Sequence, residues 1–126
     1  MLVTRIYTGD DGRSHFEELD LPLRVTDLGA ISGPISVESI FVRDTSESGP
    51  EVYDYHVAPR TQLAIHLKGR TEIEVGSGEK RTFGPGDLLL ADDLSGQGHI
   101  SREVERPRLQ VFAALKPDFD LGRWRS

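Results

Sequence analysis

Short runs of β-branched and apolar residues, separated by glycine and proline turn signals, recur along the chain and constrain its fold most strongly. The turn signals come at intervals of about 8–12 residues, which is typical of a β-sandwich or β-barrel. About ten such runs are present, at residues 3–8, 14–19, 35–42, 51–57, 61–67, 71–75, 79–83, 87–91, 98–104 and 108–115. A helical signal occurs only after Lys116, where Pro117 suits the first turn of a helix. The pattern predicts an all-β fold with a short C-terminal helix or tail.

The composition fits one globular domain that spans residues 1–126. Hydrophobic residues make up 37% and charged residues 29% of the chain, and the recurrence of apolar residues without a long charge block argues against intrinsic disorder. No apolar run approaches the roughly 18 residues that span a bilayer, and the first residues lack the apolar stretch of a signal peptide. The absence of cysteine excludes disulfides, thiolate metal sites and a cysteine nucleophile. We therefore expect a cytoplasmic protein without a membrane partner.

The charge balance limits the class of partner. A net charge of −6 argues against a nucleic acid, because binding phosphates requires a basic surface. Arginine outnumbers lysine by 12 to 3 among the 15 cations, and arginine is the better clamp for carboxylate or phosphate. Arginine-rich codon usage with ordinary surface solvation is the simpler interpretation of this excess.

One strand-like run has an unusual polar face. Side chains alternate between the two faces of a strand, so residues 61–67 place Leu63, Ile65 and Leu67 on one face. The other face carries Gln62 and His66 rather than lysine or glutamate. Such a face indicates the lining of a cavity.

The four histidines, His15, His56, His66 and His99, are the main candidates for chemistry. Histidine is the commonest metal ligand and the usual acid or base near neutral pH. A nucleophile elbow of the Gly-x-Ser-x-Gly type is absent. Asp92 and Asp93 are adjacent at a strand end, so they point in opposite directions and do not form a catalytic pair.

The middle of the chain resembles the cupin family, and two segments carry the resemblance. The first runs from His56-Val57-Ala58-Pro59-Arg60-Thr61-Gln62 to Gly69, and the second runs from Phe83-Gly84-Pro85-Gly86-Asp87 to His99. The resemblance implies a small single-domain bacterial cupin, with a jelly-roll barrel whose motif-bearing core covers about residues 51–115.

The resemblance also implies a set of metal ligands. Carried over position by position, these are His56, Gln62 and His99, with His66 as a possible fourth ligand. Ala58 stands where the family usually has a second histidine, and Gln62 stands where it usually has an acidic residue. The implied ion is Fe, Mn, Ni or Zn in the divalent state, and a site without metal is equally defensible.

Two functions from different classes follow. The first is a metal-dependent oxygenase, isomerase or lyase that acts on a small organic molecule, with Arg60 and Tyr55 as candidate substrate-binding residues. The alternative is a metal-free barrel that binds a small molecule without turnover, which the alanine at position 58 favours. A third interpretation makes the polar residues internally satisfied, with no ligand at all.

We also expect a homodimer. A small barrel has too little chain to cover two apolar strand faces, and a symmetric dimer is the commonest solution. Residues 35–42 are a plausible contributor, with Ile40 and Val42 on one face and Ile35, Val37 and Phe41 on the other.

Overall fold

A computed structural model describes residues 1–125 and confirms the all-β prediction. The strands are β1 (Leu2–Thr8), β2 (Ser14–Asp20), β3 (Leu23–Thr26), β4 (Gly29–Ser32), β5 (Val37–Asp44), β6 (Val52–His56), β7 (Gln62–Glu74), β8 (Lys80–Phe83), β9 (Leu88–Asp92) and β10 (His99–Leu115). A short 3₁₀ helix, Leu121–Trp124, follows them. In the part of the chain described, no helix is both long and apolar enough to cross a membrane.

Two long strands organise an eight-stranded sheet in the order β2-β1-β9-β7-β10-β5, with β6 and β8 attached to β10 and β7. The first half of β7 pairs with β9 and the second half with β8. In the same way, the first half of β10 pairs with β6 and the second half with β5. Each long strand therefore belongs to two halves of one bent sheet. A separate two-stranded sheet is formed by β3 and β4, which the sequence pattern did not predict.

Gly69 lies at the bend of β7 and explains why two predicted runs form one strand. Its φ of +77° lies in the left-handed region, and a Cβ atom there would come within 2.5 Å of the Pro107 carbonyl oxygen. The same close approach brings the chain past the register shift between Glu105 and Leu109 of β10. Gly69 and residues 105–107, which the sequence pattern placed between strands, therefore lie at bends within β7 and β10.

The apolar side chains form two clusters on opposite sides of the sheet. One contains Val3, Leu19, Leu21, Leu63, Leu90, Ala113, Leu115 and Trp124, so the C-terminal segment packs on the outside of the sheet. The other contains Ile6, Ala58, Ala64, Ile73, Val75, Phe83, Leu89 and Ala91, which come from both halves of the bent sheet. The two halves therefore face each other across the second cluster.

Two apolar residues lie in surroundings that the alternation pattern does not give. Leu67 is 51% exposed, although it shares a strand face with the buried Leu63, and it lies two residues before the bend at Gly69. Phe41 does not share a face with Val37, since Ser39 pairs with Ala114 and Val37 with Leu115, which leaves one extra residue in β5. This bulge turns Phe41 toward the interior, while Val37 packs against the outer cluster.

Candidate ligand-binding cavity

A cavity of about 740 Å³ opens between the two halves of the bent sheet. Its wall combines apolar side chains, including Phe41, Ala64, Ile73, Leu89 and Phe112, with a similar number of polar ones. The polar side chains are Arg43, Tyr53, His56, Arg60, Gln62, His66, His99, Ser101, Arg108 and Gln110, among others. The cavity is within the size range of pockets that bind small molecules, which is about 300–1,000 Å³.

His56 and His99 meet at one side of the cavity. They are direct partners across the β6–β10 pair, and their ring centroids are 4.5 Å apart. Gly98 allows this approach, because its φ is +77° and a Cβ atom would overlap the His56 carbonyl oxygen. The Nδ1 of His56 lies 2.8 Å from the Asp54 carbonyl oxygen, so it donates there and its Nε2 remains an acceptor in the neutral ring. Burial lowers the pKa of His56 below its usual value, which favours that neutral form.

Asp93 orients His99 from behind the cavity wall. Its side chain is 0% exposed, and its Oδ2 lies 2.6 Å from the Nδ1 of His99. The hydroxyl of Ser14 donates to the same oxygen at 2.7 Å, and the Asp93 backbone carbonyl accepts from the Ala58 N–H at 3.0 Å. The strand-end argument correctly separates Asp93 from Asp92, but it gives no sign that Asp93 binds His99. The sequence signal for this contact is the spacing of the two residues, because His99 follows Asp93 by six positions.

A bulge in β6 places Tyr53 and Tyr55 in different surroundings. His99 pairs with His56 and Ser101 with Tyr53, so two residues of β6 lie opposite Ile100. The bulge places Tyr53 on the same side as His56, with ring centroids 4.5 Å apart, and Tyr53 lines the cavity. Tyr55, which the sequence suggested as a substrate-binding residue, is exposed and lies outside the wall of the cavity.

Arg60 and Gln62 form a unit at another part of the wall. The Nη1 of Arg60 donates to the Gln62 side-chain oxygen at 2.9 Å, and its guanidinium lies 4.4 Å from the centre of the Phe41 ring. Gln62 is buried, and this hydrogen bond places a cation against the oxygen that the resemblance assigns to a metal.

His66 also lines the cavity, on the same strand face as Gln62. Its Nδ1 lies 2.9 Å from the Asp87 carbonyl oxygen, and its ring stacks on Phe83 at 5.8 Å. Burial lowers the pKa of His66, which favours the neutral ring. His15 lies away from the cavity and pairs with Asp11 at 3.0 Å on an exposed hairpin.

The donors do not make a good site for a resident metal ion. Within residues 1–125, no three histidine, cysteine, aspartate or glutamate side chains are grouped so that they could hold a metal. His56 and His99 are close together, but the amide oxygen of Gln62 is bound by Arg60. Two imidazoles in a cavity that also contains three arginine side chains do not fit a tightly held divalent cation. Metal binding stays a prediction that elemental analysis can test.

Arg43, Arg108 and Gln110 are cavity residues that the sequence gave no means of selecting. Gln110 accepts from the Nε and Nη2 of Arg43 at 3.0 and 2.7 Å, and the Arg43 guanidinium lies 4.9 Å from the centre of the Phe112 ring. Arg108 is buried, forms an ion pair with Glu103, and donates to the Thr71 hydroxyl at 3.0 Å. The bulge in β5 and the bend in β10 determine that these side chains point inward, and neither feature is visible in the hydrophobic pattern.

Comparison with known proteins adds little to this geometry. No family model matches the chain, and no curated protein matches it either. One matching solved structure is a protein from Salmonella typhimurium LT2 provisionally described as an ethanolamine utilization protein Q. The two chains are 13% identical, the match covers 91% of this chain and 96% of that chain, and the TM-score is 0.39. A likeness at this level carries no argument about the ligand.

Proposed function

We propose that this chain is a small single-domain cupin that binds a small organic molecule in its cavity, without a resident metal and without turnover. The observation that carries the proposal is an open cavity of about 740 Å³ whose polar wall lacks, within residues 1–125, a group of three metal-ligating side chains. The cupin assignment rests on the two sequence segments that end at Gly69 and His99.

The wall suits a ligand that is partly apolar and partly polar. Phe41, Phe112 and Leu89 provide apolar surface, which is the main source of binding energy in pockets of this kind. The neutral rings of His56 and His66 each keep one nitrogen as an acceptor, because their Nδ1 atoms donate to backbone carbonyls. Such fixed polar groups select the orientation of a ligand rather than a reaction.

Elemental analysis of the purified full chain is the first test. The protein is incubated in turn with Fe(II), Mn(II), Ni(II) and Zn(II), desalted and analysed beside His56→Ala and His99→Ala, with His15→Ala as the control. We expect well under one metal ion per chain in every sample. Near-stoichiometric metal that is lost in the two cavity variants but kept in the control would overturn the proposal and favour the metal-dependent enzyme.

Thermal shift with a panel of small organic acids, amides, amines and sugars is the second test. A ligand present at about 100 times its Kd stabilises the folded chain by about 2.7 kcal/mol, which raises the Tm by several degrees. Ser101→Phe fills the cavity and should abolish the shift, whereas Ser77→Phe changes an exposed turn and should keep it. A shift that survives Ser101→Phe would place the ligand elsewhere and contradict the proposal.

A further inference from the structure

We propose that the ligand is a small organic carboxylate and that Arg43 and Arg60 bind its carboxylate group or groups. The inference rests on the proposed function, because it names the chemical class of the molecule that the cavity binds.

Arg43 is a cation whose protein partners are all neutral. It donates twice to the Gln110 side-chain oxygen and lies over the Phe112 ring, and it forms no ion pair with a carboxylate of residues 1–125. Removal from water lowers the pKa of Arg43 to about 10, with the charge of Arg108 as the next cause, so the guanidinium is still cationic at pH 7. A single amide oxygen leaves Nη1 without an acceptor in the described part of the protein.

Arg60 repeats the same arrangement on the neighbouring wall. It donates to Gln62, stacks over Phe41, and has no ion-pair partner within residues 1–125. Its Nε and Nη2 donate to no atom of those residues. Both arginines therefore combine an aromatic support, one amide partner and unused donors.

Arg5 and Arg108, which are more deeply buried than Arg43, are both paired with acids. Arg5 lies 2.7 Å from an Asp92 oxygen and 3.1 Å from a Glu17 oxygen, and Arg108 pairs with Glu103. Asp44 is the acidic residue among the described residues that line the cavity, and it is exposed and accepts from Ser46. In a chain of net charge −6, the cavity thus concentrates positive charge that the described residues do not neutralise.

The surroundings of the arginines favour an organic carboxylate over inorganic phosphate. A guanidinium presents two parallel N–H groups that match two oxygens of either anion, so the neighbouring side chains make the distinction. No lysine among residues 1–125 lines the cavity, and the aromatic and aliphatic side chains beside the arginines provide a surface for an organic body. The arginines therefore supply the positive charge.

Matched acid and amide probes test the inference with the full chain. Titration calorimetry or ligand-observed NMR compares succinate with succinamide, benzoate with benzamide, and inorganic phosphate as a separate probe. We expect at least one of the acids to bind and its amide to bind at least roughly 10-fold more weakly, because charge-assisted hydrogen bonds are worth more than neutral ones. Arg43→Gln and Arg60→Gln should each weaken the acid by roughly 10- to 100-fold. Arg24→Gln, on the exposed strand β3, should leave the affinity unchanged.

The outcomes separate this inference from the function on which it rests. Equal binding of acids and amides, or acid binding unchanged in both cavity variants, would overturn the carboxylate assignment and leave small-molecule binding intact. Binding of phosphate alone would overturn it in favour of an inorganic anion. If no member of these probes or of the thermal-shift panel binds, both proposals fail. A melting curve of each variant shows whether it is folded, and Arg43→Lys, which keeps the charge without the two parallel donors, should lose part of the acid affinity.

Discussion

Replacing Gly98 with alanine should be among the most damaging small substitutions in the chain. Its φ is +77°, and an added Cβ would overlap the carbonyl oxygen of His56 and lie within 2.9 Å of the Val57 nitrogen. The atoms that it meets are backbone atoms, so no flexible side chain can move aside. The strands β6 and β10 must separate at the point where His56 and His99 meet.

The cost has two parts that a control can separate. The left-handed conformation costs a non-glycine residue roughly 1–2 kcal/mol, and a less flexible unfolded chain offsets part of this. Overpacking a tight contact adds roughly 1–3 kcal/mol. Gly12 has nearly the same φ of +74°, but a Cβ there meets nothing within 4 Å. Gly12→Ala therefore measures the conformational part alone.

Urea unfolding followed by circular dichroism measures both variants. We expect Gly12→Ala to lower the free energy of unfolding by about 1 kcal/mol and Gly98→Ala to lower it by about 2–5 kcal/mol. Gly98→Ala should also weaken ligand binding, because it displaces His56, whereas Gly12→Ala should not. Equal losses of stability in the two variants would refute the close-contact argument.

Three further predictions concern burial and assembly. Burial lowers the folded-state pKa of His66, so below its usual pKa of about 6.5 the unfolded chain binds more protons than the folded chain, and the stability that His66 contributes falls on acidification. In urea titrations, His66→Gln should therefore reduce the loss of unfolding free energy between about pH 7 and 5, while His15→Gln should not. Asp93→Asn should lower the free energy of unfolding by about 1–3 kcal/mol in the same assay, since the fully buried carboxylate accepts from Ser14 and lies against His99, and an unchanged value would contradict its role. We also propose a homodimer that forms through β5, whose Val42 is 68% exposed. Light scattering should give twice the chain mass for the wild type and the monomer mass for Val42→Asp, and a monomeric wild type would rule out the dimer.

The strand pattern could be predicted because alternation and turn residues are local properties. The two long strands could not, because Gly69 reads as a break whereas the structure uses it to bring β7 against the backbone of β10. The hairpin of β3 and β4 was missed for a related reason. Its apolar residues Val25 and Leu28 are 85% and 90% exposed, so it has no buried face to produce a clear alternation.

The residues of the candidate site could be predicted only where a sequence motif or regular strand alternation marks them. Gln62 and His66 share a strand face by simple alternation, and both line the cavity. Tyr55 could not be separated from Tyr53 in this way, because one bulged residue reverses every later side chain on the strand. Arg43 is hidden for the same reason, since its direction depends on the extra residue in β5.

The arginines bear on the two positions at which this chain differs from the cupin motifs that it resembles. A divalent cation and a guanidinium repel each other in a partly desolvated cavity, so a strong metal site and unpaired arginines are poor neighbours. In the cupin resemblance, Ala58 stands where a second histidine is usual and packs in the inner apolar cluster, and Gln62 stands where an acidic residue is usual and accepts from Arg60. A glutamate at position 62 would instead pair with Arg60 and neutralise it. The amide leaves that guanidinium charged and available, so the substitution that weakens a metal site is also the one that favours an anionic ligand.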